Sequence, residues 1–99
     1  MKIFVTRKIP GEHLDKLVAA GYDVDVSIFD RPLLKEELIQ KVKGVDGLIS
    51  LLTDKIDGEV MDASGPSLKI IANYAVGFDN IEVREATDRG IVVCNTSSA

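Results

Sequence analysis

The sequence is poor in the features that mark secreted, membrane-spanning and nucleic-acid-binding proteins. It has one cysteine, Cys94, so no internal disulfide can form, which is typical of a protein from the reducing cytoplasm. No apolar run reaches the roughly 18 residues that a transmembrane helix needs. The N-terminal apolar stretch is too short for a signal peptide and predicts a first strand instead. The 12 basic residues form no cluster beside 16 acidic ones, so we expect neither a nucleic-acid nor a membrane partner.

Hydrophobic periodicity predicts strands and helices in strict alternation. Apolar or alternating runs predict five strands, at residues 2–6, 23–28, 46–52, 68–73 and 91–94. Helical spacing predicts four helices, between Pro10 and Gly21, between Leu34 and Gly44, over 57–64, and over 79–89 behind a capping box of Asp79 and Glu82. This alternation implies an α/β fold with a parallel sheet and helices on both faces. The second strand alternates like an edge strand, whereas the third and fourth are continuously apolar and suit a sheet centre, so we predict a flavodoxin-like order 2-1-3-4-5.

One helix of this architecture is missing from the predicted elements. The order 2-1-3-4-5 normally uses five helices, and only four are predicted before the sequence stops at Ala99. The fifth would follow the last strand and share a sheet face with the first helix. We therefore expect a domain cut before its final helix, with that sheet face partly bare. Bare apolar sheet favours self-association, as a homodimer or by exchange of terminal elements.

Residue types that carry familiar chemistry are scarce at the predicted strand ends, where open parallel sheets bind ligands. Neither G-x-G-x-x-G nor G-x-x-x-x-G-K-[ST] occurs, so we predict no cofactor-binding residue. Strands one and three end in Thr6-Arg7 and Ser50-Leu51, not in the acidic residues of a magnesium site. The single histidine, His13, is expected to be a solvated surface residue, and Cys94, among valines, a small core residue. We predict no catalytic residue and no metal ligand.

The stretch NYAVGFDN, residues 73–80, places a glycine where a buried strand has ended and a helix has not begun. Gly77 would let the backbone approach a ligand closely, because no Cβ stands in the way. The main-chain N–H groups of Val76 and Gly77, near the positive end of the next helix, are suited to a carboxylate. The simpler interpretation is that Gly77 only permits a tight turn while Asp79 caps the helix. The two interpretations are compatible, and the pattern alone leaves both open.

Three motifs follow one another in a specific register: LLTDKID at 51–57, IIANYAVGFDNI at 70–81 and ATDRGI at 86–91, with Asn95-Thr96 after them. Together they resemble the N-terminal segment of the D-2-hydroxyacid dehydrogenase family, most of all its glyoxylate and hydroxypyruvate reductases. The resemblance covers residues 1 to about 96. It implies a substrate-binding domain that acts as a lid. Val76 and Gly77 would then be the residues whose backbone amides bind the carboxylate of a 2-oxo or 2-hydroxy acid, with Leu52 lining that pocket.

The resemblance also implies what this sequence lacks. In the family, a Rossmann domain binds NAD(P)H, and the catalytic Arg, Glu and His lie in that domain and beyond; none of the three has a counterpart here. Family sequences usually continue NTPG, whereas Asn95-Thr96 is followed by Ser97-Ser98-Ala99. We therefore expect residues 1–99 to be a truncated substrate-binding half-domain of an NAD(P)-dependent 2-hydroxyacid dehydrogenase, without a cofactor and inactive alone. The alternatives are a minimal or engineered flavodoxin-like scaffold with no binding function, and a stand-alone anion-binding module.

Overall fold

Five strands and four helices alternate along the chain in the computed structural model, which describes residues 1–7, 13–29, 31–74 and 77–95. The strands are β1 Lys2–Val5, β2 Asp23–Val26, β3 Gly47–Leu51, β4 Ile70–Tyr74 and β5 Val92–Asn95. The helices are α1 His13–Ala19, α2 Lys35–Lys41, α3 Gly58–Ser64 and α4 Val83–Asp88. None of the helices in these ranges has the length and apolar character needed to cross a membrane.

The strands form one parallel sheet in the order β2-β1-β3-β4-β5, which confirms the predicted topology. In the centre of the sheet, Leu48 of β3 lies beside Phe4 of β1 and Ile71 of β4. The last residues of β3 and β4, Leu51 and Tyr74, are also partners in register. The loops after these two strands therefore leave the sheet side by side.

The hydrophobic core lies on one face of the sheet, which we call the covered face. Phe4, Leu48 and Ile71 point to this face and are at most 1% exposed. Side chains from the three later helices and their flanking loops pack against them, namely Leu38, Val42, Val60, Met61, Ile81 and Ala86. Full burial of a large apolar side chain contributes roughly 1.5–3 kcal/mol, so this single layer supplies most of the stability of the fold.

The opposite face, which we call the open face, is formed by Ile49, Ile70, Ala72, Val92 and Cys94. Leu17 of α1 and Ile3 border it, and a groove of about 320 Å³ lies between them and Ile49. Ile70 is 38% exposed, Val92 is 60% exposed, and Cys94 is exposed as well. The prediction of a partly bare face is confirmed for the described residues. The prediction of a core position for Cys94 is wrong, because only α1 of the described helices lies on this face.

Helix α4 begins at Val83, four residues later than predicted, and the capping box of Asp79 and Glu82 does not form. Ile81 instead pairs with Ile56 in an isolated parallel bridge. Backbone used in such a bridge is extended, so it cannot be part of a helix. The side chain of Glu82 is also engaged elsewhere, since its Oε1 accepts a hydrogen bond from Gly58 N at 3.1 Å.

The other helix boundaries follow the sequence signals more closely. Asp57 caps α3 by accepting a hydrogen bond from Val60 N at 3.0 Å. Gly21 and Gly44 follow α1 and α2 with φ values of +94° and +75°, a conformation that glycine adopts without strain. The predicted start of α1 at Pro10 lies outside the described residues.

Candidate functional site

Two adjacent loops at the carboxyl edge of the sheet contain the predicted binding residues. Leu52 lies in the β3–α3 loop, residues 52–57, and its side chain is 58% exposed. Gly77 lies in the β4–α4 loop, of which residues 77–82 are described. The predicted partner of Gly77, Val76, lies outside the described residues. The structure therefore brings two of the three predicted residues to the same edge of the sheet.

The carboxamide of Asn80 connects these two loops. Its Nδ2 donates to the carbonyl oxygens of Leu51, at 2.9 Å, and Asp54, at 2.8 Å, both in or next to the β3–α3 loop. Asn80 also forms a reciprocal amide pair with Asn73, with N–O distances of 2.8 and 3.1 Å. The backbone adds a further link, because Ile56 N donates to Asn80 O at 2.8 Å. Asn80 thus joins the ends of β3 and β4 through both its side chain and its main chain.

Asn73, near the end of β4, transmits this connection to Gly77. Its side chain is fully buried, and a buried amide is costly unless it is hydrogen-bonded. Asn73 Nδ2 donates to Gly77 O at 2.9 Å, and Asn73 Oδ1 accepts from Ser50 Oγ at 3.0 Å. The carbonyl of Gly77 is therefore held in place by a side chain that the sheet itself orients.

Asp54 ties the same region to β1. Its carboxyl group is 3% exposed and accepts hydrogen bonds from Leu51 N, at 2.9 Å, and from the hydroxyl of Thr6. We call the five connected side chains the edge network: Thr6, Ser50, Asp54, Asn73 and Asn80. It holds the carboxyl ends of the three central strands together.

Gly77 has no conformational or packing need for glycine within the described structure. It is not among the glycines with positive φ, and a Cβ built on it would meet no described atom within 4 Å beyond its chain neighbours. Its carbonyl is bonded to Asn73, whereas no described residue accepts a hydrogen bond from its N–H. A helix cap at Asp79 does not form, since α4 begins later, whereas the turn that leads into Gly77 runs through residues 75–76, outside the described residues.

The charged groups beside the β3–α3 loop are largely paired with one another. Lys35 Nζ lies 2.8 Å from both Asp57 and Glu59, and these bonds raise the pKa of the Lys35 ammonium. Burial alone would raise the pKa of Asp57, but its bonds to Lys35 and to Val60 N lower it overall. A cavity of about 250 Å³ between α2 and this loop is lined by Lys35 and Asp57 together with Thr53 and Lys55. The positive charge of Lys35 is thus already paired with carboxylates on the protein.

The described residues contain no cluster of three or more His, Cys, Asp or Glu side chains that suits a metal ion. The chemistry of this edge is therefore that of amides, hydroxyls and one buried carboxyl group. Such groups orient loops and bind polar ligands, and none of them is placed here as an activated nucleophile.

The edge network was not predicted from the sequence. Thr6 and Ser50 were noted only as strand ends without an acidic residue, and no role was predicted for Asn73, Asp54 or Asn80. One signal was present: Asn73 interrupts an otherwise apolar strand, and a polar residue there must find partners when buried. Those partners come from two other segments of the chain, and their pairing is visible only in the folded structure.

The fold and these loops agree with comparisons to known proteins. Residues 3–99 match the family described as D-isomer specific 2-hydroxyacid dehydrogenase, catalytic domain. The chain belongs to this family. The resemblance inferred from the three motifs is therefore confirmed.

Individual relatives and solved structures support the same family. The glyoxylate reductases of Thermococcus gammatolerans and Korarchaeum cryptofilum are 48% and 50% identical over 95 residues, which is 96% of this chain and 28% of each relative. The crystal structure of the TT0316 protein from Thermus thermophilus superposes with a TM-score of 0.84 at 43% identity, over 94% of this chain and 29% of that one. The NAD+-bound 3-phosphoglycerate dehydrogenase of Entamoeba histolytica gives 0.82 at 33% identity, over 97% and 32%. The chain thus spans less than a third of the length of these relatives.

The geometry at Gly77 predicts that alanine is tolerated there by the fold. We expect Gly77→Ala to change the free energy of unfolding by less than about 1 kcal/mol, since alanine also restricts the unfolded chain. The matched substitution Gly44→Ala is expected to cost about 1–2 kcal/mol, because it forces a Cβ into a left-handed conformation. Urea denaturation followed by circular dichroism measures both values. A loss at Gly77 as large as that at Gly44 would contradict our interpretation of this glycine.

Proposed function

We propose that the β3–α3 and β4–α4 loops form the carboxylate-binding side of a 2-hydroxyacid dehydrogenase active site of the glyoxylate reductase type. The observation that supports the proposal is Gly77, where an added Cβ would meet no described atom within 4 Å and whose N–H has no acceptor among the described residues. A ligand that needs close access to the backbone gives this glycine a reason. The curated relatives named glyoxylate reductase supply the substrate class, small 2-oxo and 2-hydroxy acids.

In this proposal the ligand carboxylate accepts hydrogen bonds from the main-chain N–H groups of Val76 and Gly77, while Leu52 supplies an apolar wall. A hydrogen bond to a charged group contributes roughly 1.5–3 kcal/mol, so two of them give about 3–6 kcal/mol before the cost of association. The middle of that range corresponds to millimolar affinity, because about 4 kcal/mol is equivalent to a Kd of 1 mM, and the cost of association weakens binding further. The site is therefore proposed to orient a small acid and not to bind it tightly by itself.

The same residues do not fit the binding of a nicotinamide nucleotide. The sequence has no G-x-G-x-x-G, and the edge network consists of groups already bonded to one another. Reduction of a 2-oxo acid needs a hydride donor and a proton donor, which in this family are NAD(P)H and an acid outside the matched motifs. We propose that residues 1–99 hold the acid and help exclude water when such a partner domain closes over it.

Carboxylate binding can be tested with oxalate, a stable analogue of a 2-oxo acid, added to the ¹⁵N-labelled chain in an NMR titration. We expect chemical-shift changes centred on Gly77 and the neighbouring loop, with saturation in the millimolar range. Gly77→Ala should abolish or strongly weaken them, because a methyl group occupies the approach to the backbone. Gly58→Ala, in the first turn of α3, is the control and should bind like the wild type. No shifts, or shifts scattered over the surface, would favour a scaffold without a binding function.

The proposal also predicts that the isolated chain has no reductase activity. NADH or NADPH incubated with glyoxylate and the purified chain should be oxidised no faster than in buffer, because positioning alone supplies neither hydride nor proton. The absorbance of the reduced nucleotide measures this directly. Oxidation that scales with protein concentration and disappears in Gly77→Ala would disprove the proposal that residues 1–99 only hold the acid while another domain supplies the hydride and the proton.

We propose in addition that the open face mediates self-association of the isolated chain. Ile70 and Val92 are exposed there side by side, and β5 is an edge strand with one side free of described strands. An apolar surface of this kind is a usual protein contact site, and an exposed edge strand offers unpaired backbone groups. A second copy of the chain would remove both from water.

Sedimentation equilibrium should then show a mass that rises from monomer to dimer with concentration. Val92→Lys should shift this equilibrium to the monomer, because it places a charge in the proposed contact. Val83→Lys is the matched control, since Val83 is also an exposed valine but lies on α4, on the other side of the sheet. A wild-type chain that stays monomeric at millimolar concentration would rule the contact out.

A further inference from the structure

We infer that Asn80 is a positioning residue that sets the placement of Leu52 relative to Gly77. For its effect on ligand binding, this inference rests on the function proposed above. Asn80 itself makes no contact with a ligand in this account. Its role is to give two separate loops one common anchor, and that role has consequences that can be measured without any ligand.

Asn80 holds the β3–α3 loop through two hydrogen bonds. Its Nδ2 donates to Leu51 O at 2.9 Å and to Asp54 O at 2.8 Å. These two carbonyls stand at the two ends of the turn that contains Leu52, a turn also closed by the bond from Asp54 N to Leu51 O at 2.9 Å. One carboxamide therefore fixes both ends of the segment that presents Leu52.

Two hydrogen bonds connect Asn80 to Gly77 through Asn73. Asn80 Oδ1 accepts from Asn73 Nδ2 at 2.8 Å, and the same Nδ2 donates to Gly77 O at 2.9 Å. The Asn73 side chain is fully buried, and its Oδ1 accepts a hydrogen bond from Ser50, so it has little freedom to move with a displaced loop. The carbonyl of Gly77 is therefore held by Asn80 through Asn73, while the turn that contains Leu52 is held by Asn80 directly.

Few other side chains can bridge the two loops in this way. The position needs two N–H donors and one acceptor on a short, rigid group, which is the inventory of asparagine. Aspartate has the same shape but no donor, and it would set a negative oxygen against the carbonyls of Leu51 and Asp54. Alanine would leave Asp54 O without a donor among the described residues. It would also remove one of the two donors to Leu51 O and one of the hydrogen-bond partners of the Asn73 amide.

The backbone provides a reason why variants of Asn80 should still fold. Ile56 N donates to Asn80 O at 2.8 Å, and Glu82 N donates to Ile56 O at 2.9 Å, and neither bond depends on the Asn80 side chain. These bonds keep the loops adjacent. The side chain decides their exact relative placement, and small errors of placement are what binding sites tolerate least.

The experiment compares Asn80→Ala and Asn80→Asp with Ser64→Ala in the same 99-residue chain. Ser64→Ala removes a buried hydrogen bond to Met61 O at 2.6 Å at the end of α3, outside the edge network, so it perturbs the fold without changing either loop. We expect both Asn80 variants to weaken oxalate binding by about tenfold or more, and Ser64→Ala by about twofold or less. Equal weakening in all three variants would overturn the inference, because binding would then follow stability alone.

A readout without ligand separates this inference from the proposed function. In Asn80→Ala, amide shifts and hydrogen exchange should change in both loops, at residues 51–56 and at Gly77, whereas Ser64→Ala should leave both loops unchanged. Changes confined to residues 77–82 would overturn the inference whatever oxalate does. A wild-type chain that does not bind oxalate, with both loops perturbed in Asn80→Ala, would remove the proposed function and support the positioning role.

If the Asn80 variants do not fold, the wild-type chain still decides the matter. The carboxamide hydrogens of Asn80 are expected to exchange slowly and to show nuclear Overhauser contacts with Leu51 and Asp54 on one side and Asn73 on the other. A carboxamide that exchanges rapidly and lacks those contacts would overturn the inference.

Discussion

The candidate site depends on the requirement that polar groups buried at the carboxyl edge of the sheet find hydrogen-bond partners. Asn73, Ser50 and Thr6 are fully buried there, and Asp54 is nearly so. Leaving any of them unbonded would cost a few kcal/mol, a large share of the total stability of a domain this size. The partners that satisfy them belong to different strands and loops, so the same bonds that make burial tolerable also give the loops a defined arrangement.

The architecture explains why this edge can be shaped independently of the core. Most of the large buried side chains lie on the covered face, packed beneath the three later helices, while Ile3 and Val5 of β1 are buried on the other face. The loops at the carboxyl edge contribute Ile56 and Ile81 to this core, and their polar residues remain available for hydrogen bonds. Open parallel sheets bind ligands at this edge for the same reason, since the loops there are supported by strands but are not required to fill the interior.

The sequence was sufficient for the features that repeat along the chain and insufficient for those that depend on contacts between distant segments. Alternating and continuous apolar runs gave all five strands and their order, and Gly21 and Gly44 marked two helix ends. The start of α4 could not be predicted, because the Ile56–Ile81 bridge competes with the cap signal of Asp79. The exposure of Cys94 was misjudged for a similar reason: a valine-rich strand looks the same whether or not a helix covers it. Gly77 was identified by its position in a motif, while the partners of its peptide, Asn73 and Asn80, required the fold.

The short parallel bridge between Ile56 and Ile81 has a consequence for ligand capture. It continues the sheet pattern past the ends of β3 and β4, so the two loops are joined by regular backbone bonds and not only by side chains. Segments restrained in this way lose most of their conformational freedom when the protein folds. The proposed acid ligand would then meet a preorganised surface, and little of its interaction energy would be consumed in ordering the loops.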